Sequence, residues 1–113
     1  MKTLADTRAP LNRVEIAASG FAALGSEQRL LVLRHLVRAG GQGRSIGELG
    51  EAVGLSGATL THHIRALTHA GLVTRKKEGR VIRVAVDYDN VRALSDYLLS
   101  ECCADSEGGH THG

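Results

Sequence analysis

The chain has 113 residues, of which 42% are hydrophobic and 23% charged, and its formal net charge is +2. This length suits one small domain rather than two, and no apolar run approaches the roughly 20 residues that span a bilayer. Only 3% of residues are aromatic, so a core must be built mainly from Leu, Val, Ile and Ala. No Gly-x-Ser-x-Gly elbow, His-Glu-x-x-His helix or nucleotide-binding glycine pattern occurs, so we do not predict an enzyme.

The first three predicted elements are helices that follow a polar lead over residues 1–10. Leu11 to Leu24 has apolar residues near helical spacing and is predicted to be the first helix. Ser26 can cap a second helix that continues to about Arg38. Its predicted inner stripe is Leu30, Leu33 and Val37, widened by Leu31, Val32 and Leu36. Ser45 and Glu48 fit a capping box that starts a third, short helix ending near Val53, with Gly54 closing it.

The fourth helix is predicted over about Ser56 to Ala70. Leu60, Ile64 and Leu67 recur at i, i+4 and i+7, which is the spacing of one buried helix face. The opposite face holds small, hydroxylic and basic residues but no acid, and such a face can approach phosphates and base edges in a DNA major groove. The residues predicted to contact DNA from this helix are Ser56, Thr59, Thr61, His62, His63 and Arg65.

A basic β-hairpin is predicted directly after this helix. Two β-prone runs meet at Glu78 and Gly79, which suggests a tight two-residue turn. Between His62 and Arg83 there are six Arg or Lys residues and one acid, so most of the positive charge of the chain is concentrated here. We predict that Arg75, Lys76, Lys77 and Arg80 bind phosphates. A last helix is then predicted from about Val91 to Ser100, with Val91, Leu94 and Leu98 as its apolar stripe.

The pattern over residues 22–103 resembles the ArsR/SmtB family of bacterial metal-responsive repressors. The resemblance is carried by Leu55-Ser56, Thr59 and Thr61, His62-His63, Leu67 and the run Ala70 to Val73. It implies a mainly α fold with a small β-hairpin, namely a winged helix-turn-helix with four helices, two strands and a fifth helix. It also implies a DNA-binding and dimerisation domain over residues 11–103, a homodimer on double-stranded operator DNA, and release of that DNA by an inducer. A flexible tail is expected over residues 104–113.

Two adjacent thiols, Cys102 and Cys103, are the candidate inducer site. They cannot form an intrachain disulfide framework, and we expect them to be thiols in a cytoplasmic protein without a membrane partner, since residues 1–10 have no signal-peptide core. Neighbouring thiols can bind a soft ion, although two inert Cys on a frayed helix end have the same sequence. Some ArsR relatives bind trivalent arsenic or antimony through a Cys-Cys pair that ends the last helix. By this resemblance, arsenite or antimonite is the expected inducer.

The sequence leaves the third ligand and the nature of the signal open. No third Cys exists, so the third ligand could be a small thiol, water or a Cys of the partner protomer. Three other signals remain compatible with the same fold. The thiols could respond to oxidants or persulfides, His110 and His112 could bind a transition metal, or the regulator could have no ligand and respond to protein partners.

Overall fold

The computed structural model of this chain describes residues 10–106. Five helices and three short strands follow one another along the chain. They are α1 (Pro10–Ala23), α2 (Glu27–Ala39), β1 (Arg44–Ser45), α3 (Ile46–Val53), α4 (Gly57–His69), β2 (Val73–Glu78), β3 (Val81–Val86) and α5 (Tyr88–Tyr97). The predicted order of four helices, a hairpin and a fifth helix is confirmed. The strand β1 was not predicted, because two residues are too few to show a strand pattern in the sequence.

Local capping chemistry explains where the helices α2 and α3 begin. The Ser26 hydroxyl accepts a hydrogen bond from the Arg29 amide at 3.3 Å, as an N-cap residue does. At α3, the Ser45 hydroxyl accepts from the Glu48 amide at 3.1 Å while the Glu48 carboxylate accepts from the Ser45 amide at 2.9 Å. This is the predicted capping box, and these hydrogen bonds hold the pKa of Glu48 below its ordinary value.

The three strands form one antiparallel sheet in the order β1-β3-β2. Glu78 pairs with Val81, so the two residues of the hairpin turn are Gly79 and Arg80 rather than Glu78 and Gly79. The reason is the left-handed backbone at Gly79, whose φ is +63°. A glycine with positive φ at the first turn position is typical of a type II′ hairpin.

The core lies where α2, α3, α4 and β3 meet, and it consists of aliphatic side chains only. Val32, Leu36, Leu49, Leu67 and Val84 are completely buried. The predicted inner face of α4 is confirmed, since Leu60, Ile64 and Leu67 are all at most 2% exposed. The stripe predicted for α2 is confirmed at Leu33 but wrong at Leu30 and Val37, which are exposed. Its true inner residues are Val32, Leu33 and Leu36.

The last helix begins three residues before the predicted start and ends three residues before the predicted end. Asp87 acts as N-cap by accepting a hydrogen bond from the Asn90 amide at 3.1 Å, which places Tyr88 first in α5. The side chain of Asn90 is buried, and its Nδ2 donates a hydrogen bond to the carbonyl of Gly71 at 2.8 Å. This bond connects α5 to the loop before β2. Leu98, predicted to continue the buried stripe, lies beyond the helix and is exposed.

Within residues 10–106, no helix combines the length and the apolar character that crossing a membrane requires.

Candidate nucleic-acid interface

The outer face of α4 is exposed and carries no acidic side chain. Thr59, His62 and Arg65 are exposed, and Thr61 is half-buried. These four predicted contact residues therefore remain accessible on the solvent side of the helix. Their hydroxyl, imidazole and guanidinium groups can reach phosphates and base edges if this face enters a major groove.

Ser56 occupies the position before α4 but does not cap it. Its backbone is extended, as expected for an N-cap residue, yet its hydroxyl accepts no hydrogen bond from the helix. The exposed hydroxyl therefore has no partner in α4. The first amides of α4 also receive no side-chain acceptor from Ser56, and helix N-terminal amides are good donors to phosphate oxygens.

His63 differs from its neighbours because its side chain is 7% exposed and turns toward α2. Its Nδ1 accepts a hydrogen bond from Arg29 Nε at 3.4 Å, and its Nε2 lies 3.2 Å from Gln28 Oε1. These contacts fit a neutral ring with its proton on Nε2. Burial and the nearby Arg29 guanidinium lower the pKa of His63. His63 therefore fastens α4 to α2, and the prediction that it faces DNA does not agree with this placement.

A close turn between α3 and α4 positions the outer face. An added Cβ at Gly50 would lie 2.6 Å from the carbonyl oxygen of Leu55, so only glycine allows this approach. The Leu55 amide donates to the carbonyl of Gly50 at 3.0 Å. Below the turn, Leu60 packs into the core. These contacts hold α4 with its hydroxylic and basic residues outward.

The hairpin β2–β3 forms a basic wing beside α4. Along β2 only Val73 is buried, and the remaining five residues of the strand are exposed. The only ion pair among residues 10–106 joins Arg83 Nε to Glu78 Oε1 at 3.1 Å. Arg83 also donates to the carbonyl of Gln42 at 3.3 Å, which ties the wing to the loop before β1. The predicted phosphate-binding residues Arg75, Lys76, Lys77 and Arg80 are all exposed and have no carboxylate partner in the described part of the chain.

The two Cys residues lie beyond α5 and do not end it, which corrects the prediction. The segment after Tyr97 continues as successive tight turns, including a hydrogen bond from the Cys102 amide to the Leu99 carbonyl at 2.9 Å. Leu98 and Leu99 are 68% and 63% exposed, so residues 10–106 offer them no apolar surface that would bury them. Cys103 has a positive φ of 61°, which also interrupts helical geometry.

The two sulfur atoms face each other at 3.3 Å. Cys102 is exposed and Cys103 is half-buried. The hydrogen bond between the sulfurs raises the pKa of the Cys102 thiol. Among residues 10–106 no group of three His, Cys, Asp or Glu side chains is arranged to hold a metal ion. His110 and His112, the other candidate ligands, lie outside the described residues.

The helix-turn-helix pair α3 and α4 packs on an aliphatic core, the exposed face of α4 carries no acidic residue, and a basic hairpin follows. These features define the class of winged helix-turn-helix proteins. A model described as a helix-turn-helix domain matches residues 24–76. The uncharacterized HTH-type transcriptional regulator YceK of Bacillus subtilis is 35% identical over 75 residues, which cover 66% of this chain and 74% of YceK. The chain belongs to the helix-turn-helix transcriptional regulators, its fold is the winged helix, and it is a regulator rather than an enzyme.

Two solved structures illustrate the similarity of the fold. An ArsR-like transcriptional regulator from Rhodococcus sp. RHA1 has 26% identity and a TM-score of 0.65, covering 87% of this chain and 99% of that one. A homodimeric winged helix-turn-helix DNA-binding domain from Mycobacterium bovis has 23% identity and a TM-score of 0.66, covering 96% and 95%. The predicted fold class is confirmed by these similarities and by the element order.

Proposed function

We propose that this protein is a repressor that binds operator DNA as a homodimer and releases it when a thiophilic metalloid binds Cys102 and Cys103. The observation that carries the DNA-binding part is the contiguous exposed surface of α4 and the wing, which combines hydroxyl, imidazole and basic groups with unpaired positive charge. Wing residues supply affinity through phosphates, and Thr61, His62 and Arg65 supply sequence preference.

Exposed apolar residues on α1 support the homodimer. Much of the apolar surface of α1 does not enter the core of the single chain, since Val14 is 52% and Phe21 is 37% exposed, and Ala18 is exposed as well. The buried side of the helix is instead formed by Ala17, Gly20 and Ala23. Leu98 and Leu99 extend the exposed apolar surface beyond α5, which packs against α1. A second chain would bury these residues, and the similar Mycobacterium bovis domain is homodimeric.

Selection of duplexes from a random pool tests the DNA-binding role without knowledge of the operator. We expect enrichment of a palindromic sequence, because a two-fold dimer presents two α4 helices. Arg65→Gln should weaken binding to the selected duplex by about tenfold while changing affinity for an unrelated duplex less, since one good base contact contributes about 1–3 kcal/mol of discrimination. Fluorescence anisotropy measures both affinities. Failure to enrich any sequence would contradict the proposal.

The 3.3 Å separation of the two sulfurs supports the metalloid part of the proposal. This distance is shorter than twice a typical metal–thiolate bond of about 2.3 Å, so one ion can contact both sulfurs. A third ligand would come from a small thiol, water or the partner protomer. Binding can release DNA only if the metalloid prefers the DNA-free state of the dimer, and couplings of about 1–3 kcal/mol are typical of such regulators.

Replacement of both thiols tests this role. We expect Cys102→Ser with Cys103→Ser to leave a folded dimer that binds the selected duplex with unchanged affinity but no longer releases it on addition of arsenite or antimonite. Anisotropy follows release, and native mass spectrometry follows the adduct. Release that persists in the double variant would place the sensor elsewhere, with His110 and His112 as the next residues to replace.

Thiol oxidation is the second candidate signal, because the same short sulfur separation favours reaction between the two thiols. Peroxide would oxidise both thiols to a disulfide, with the two hydrogens and two electrons passing to peroxide. Mass spectrometry after separate treatment with arsenite, peroxide and a persulfide distinguishes the signals. Loss of DNA affinity with peroxide alone, together with the mass loss of one hydrogen molecule, would favour the redox function over the metalloid function.

A further inference from the structure

A groove of about 450 Å³ lies between α2 and the C-terminal end of α3, and no residue of α4 or of the wing lines it. Its lining combines basic and aliphatic side chains: Leu31, Arg34, His35, Arg38, Ala52 and Val53. The volume falls in the range of about 300–1,000 Å³ that is common for small-molecule sites. Neither the DNA-binding surface nor the thiol pair uses this groove.

Helical spacing places the basic residues together. Arg34 and Arg38 are four residues apart and share one face of α2, and His35, next to Arg34 in sequence, also lines the groove. Both arginines are exposed, and neither takes part in an ion pair within residues 10–106. No carboxylate lines the groove, and the nearby Glu51 of α3 is exposed without pairing to either guanidinium. Two uncompensated guanidinium groups in a concave site favour an anion.

The aliphatic residues that line the groove favour a ligand that carries an apolar group in addition to its negative charge. Leu31 is 57% exposed although it stands on a helix whose opposite side forms the core. Ala52 and the half-buried Val53 lie across the groove on α3. A bare phosphate or a DNA backbone would leave these aliphatic groups uncovered. An organic anion would cover them and neutralise the arginines at the same time.

His35 supplies an independent sign of an incomplete site. Its Nε2 is buried and has no hydrogen-bond partner among residues 10–106. Such an orphaned polar atom costs free energy, and buried ring nitrogens are normally paired. Because His35 lines the groove, this unpartnered nitrogen belongs to the same site as the two guanidinium groups.

We propose that the α2–α3 groove binds a small organic acid with an aliphatic or aromatic body. The carboxylate lies between the guanidinium groups of Arg34 and Arg38, within reach of His35, and the body packs against Leu31 and Val53. This proposal does not depend on the metalloid function, since it shares no residue with the Cys pair. It adds a second ligand site that contacts both α2 and the first helix of the helix-turn-helix.

Amide chemical shifts of the full-length protein under titration test the proposal. The probes are sodium hexanoate and sodium benzoate, with hexanol, benzyl alcohol, acetate and inorganic phosphate for comparison. We expect both organic acids to cause saturable shifts confined to the groove residues. The alcohols and acetate should bind at least about tenfold more weakly, because each lacks either the charge or the apolar body.

Two sets of variants separate this site from the DNA-binding surface. Arg34→Gln with Arg38→Gln should weaken hexanoate binding at least about tenfold and leave affinity for the selected duplex unchanged. Arg75→Gln in the wing is the matched control, with hexanoate binding retained and DNA affinity reduced. The single Arg34→Gln and Arg38→Gln variants provide the same comparison if the double variant does not fold.

Three results would overturn the proposal. The first is the absence of saturable shifts at the groove up to about 10 mM acid, a concentration beyond the range of specific small-ligand binding. The second is inorganic phosphate binding as tightly as hexanoate, which would indicate a simple anion site. The third is a loss of DNA affinity in the groove variants, which would assign Arg34 and Arg38 to DNA phosphates.

Discussion

Two adjacent histidines in α4 have opposite surroundings. His62 is exposed, whereas His63 is buried against Gln28 and Arg29, although the two rings are only 5.7 Å apart. The helical spacing of the apolar residues predicts that both histidines lie near the polar side of the helix. What decides the orientation of His63 is the pair of hydrogen-bonding side chains that α2 presents, and the sequence of α4 contains no information about them.

This contrast predicts how stability depends on pH. The pKa of His63 is lowered in the folded protein, so the unfolded chain takes up the proton first as the pH falls. The stability contributed by the neutral ring is therefore complete above the unfolded pKa of about 6.5 and decreases as the pH falls below it, until the folded pKa is reached. His63→Gln should reduce this pH dependence below about pH 6.5.

His62→Gln is the matched control, because it makes the same change one position away on the exposed face. Urea unfolding at several pH values gives the free energies of unfolding for the three proteins. We expect the control to follow the native chain. A His63→Gln variant that loses stability toward acid as steeply as the native protein would contradict the assignment.

At the scale of elements, caps and periodic apolar residues predicted α3 and α4 well. The Ser45–Glu48 capping box and the stripe of Leu60, Ile64 and Leu67 are both present. Such features are predictable because each depends on residues within one or two turns of helix. The start of α5 and the turn between β2 and β3 were misplaced, since several nearby residues could cap or turn the chain. At α5 the structure selects Asp87 as the cap, and the side chain of Asn90 additionally binds the distant carbonyl of Gly71.

The two glycines of α3 illustrate the same limit. In sequence both weaken the helix by about 1 kcal/mol relative to Ala. In the structure a Cβ at Gly47 meets nothing within 4 Å, whereas one at Gly50 would collide with the Leu55 carbonyl. Only the packing of the helix-turn-helix distinguishes them.

We therefore predict opposite effects of the same substitution at these two positions. Gly47→Ala should stabilise the protein by up to about 1 kcal/mol through helix propensity. Gly50→Ala should destabilise it by about 1–3 kcal/mol, because the α3–α4 turn must move away from the added methyl group. Thermal and urea unfolding measure both. Equal effects of the two substitutions would show that the Gly50 contact does not constrain the turn.

At the scale of the whole molecule, the apolar surface left uncovered by one chain and the basic surface formed by α4 and the wing lie on different elements. Exposed Val14, Phe21, Leu98 and Leu99 belong to α1 and to the segment after α5. Association through these residues leaves α4 and the wing of each chain open to DNA. A dimer would thus present two copies of the DNA-binding surface to a palindromic site.

The most direct test of this account is the salt dependence of affinity for the selected duplex. The slope of log K against log salt is negative, and removing one phosphate contact reduces its magnitude by about 0.9. Lys76→Ala should therefore reduce this magnitude by about 1.8, because each chain of a dimer loses one contact. Arg34→Ala, an exposed arginine outside the DNA-binding surface, should leave the slope unchanged. An unchanged slope in Lys76→Ala, or an equal decrease in Arg34→Ala, would contradict the assignment of α4 and the wing as the DNA-binding surface.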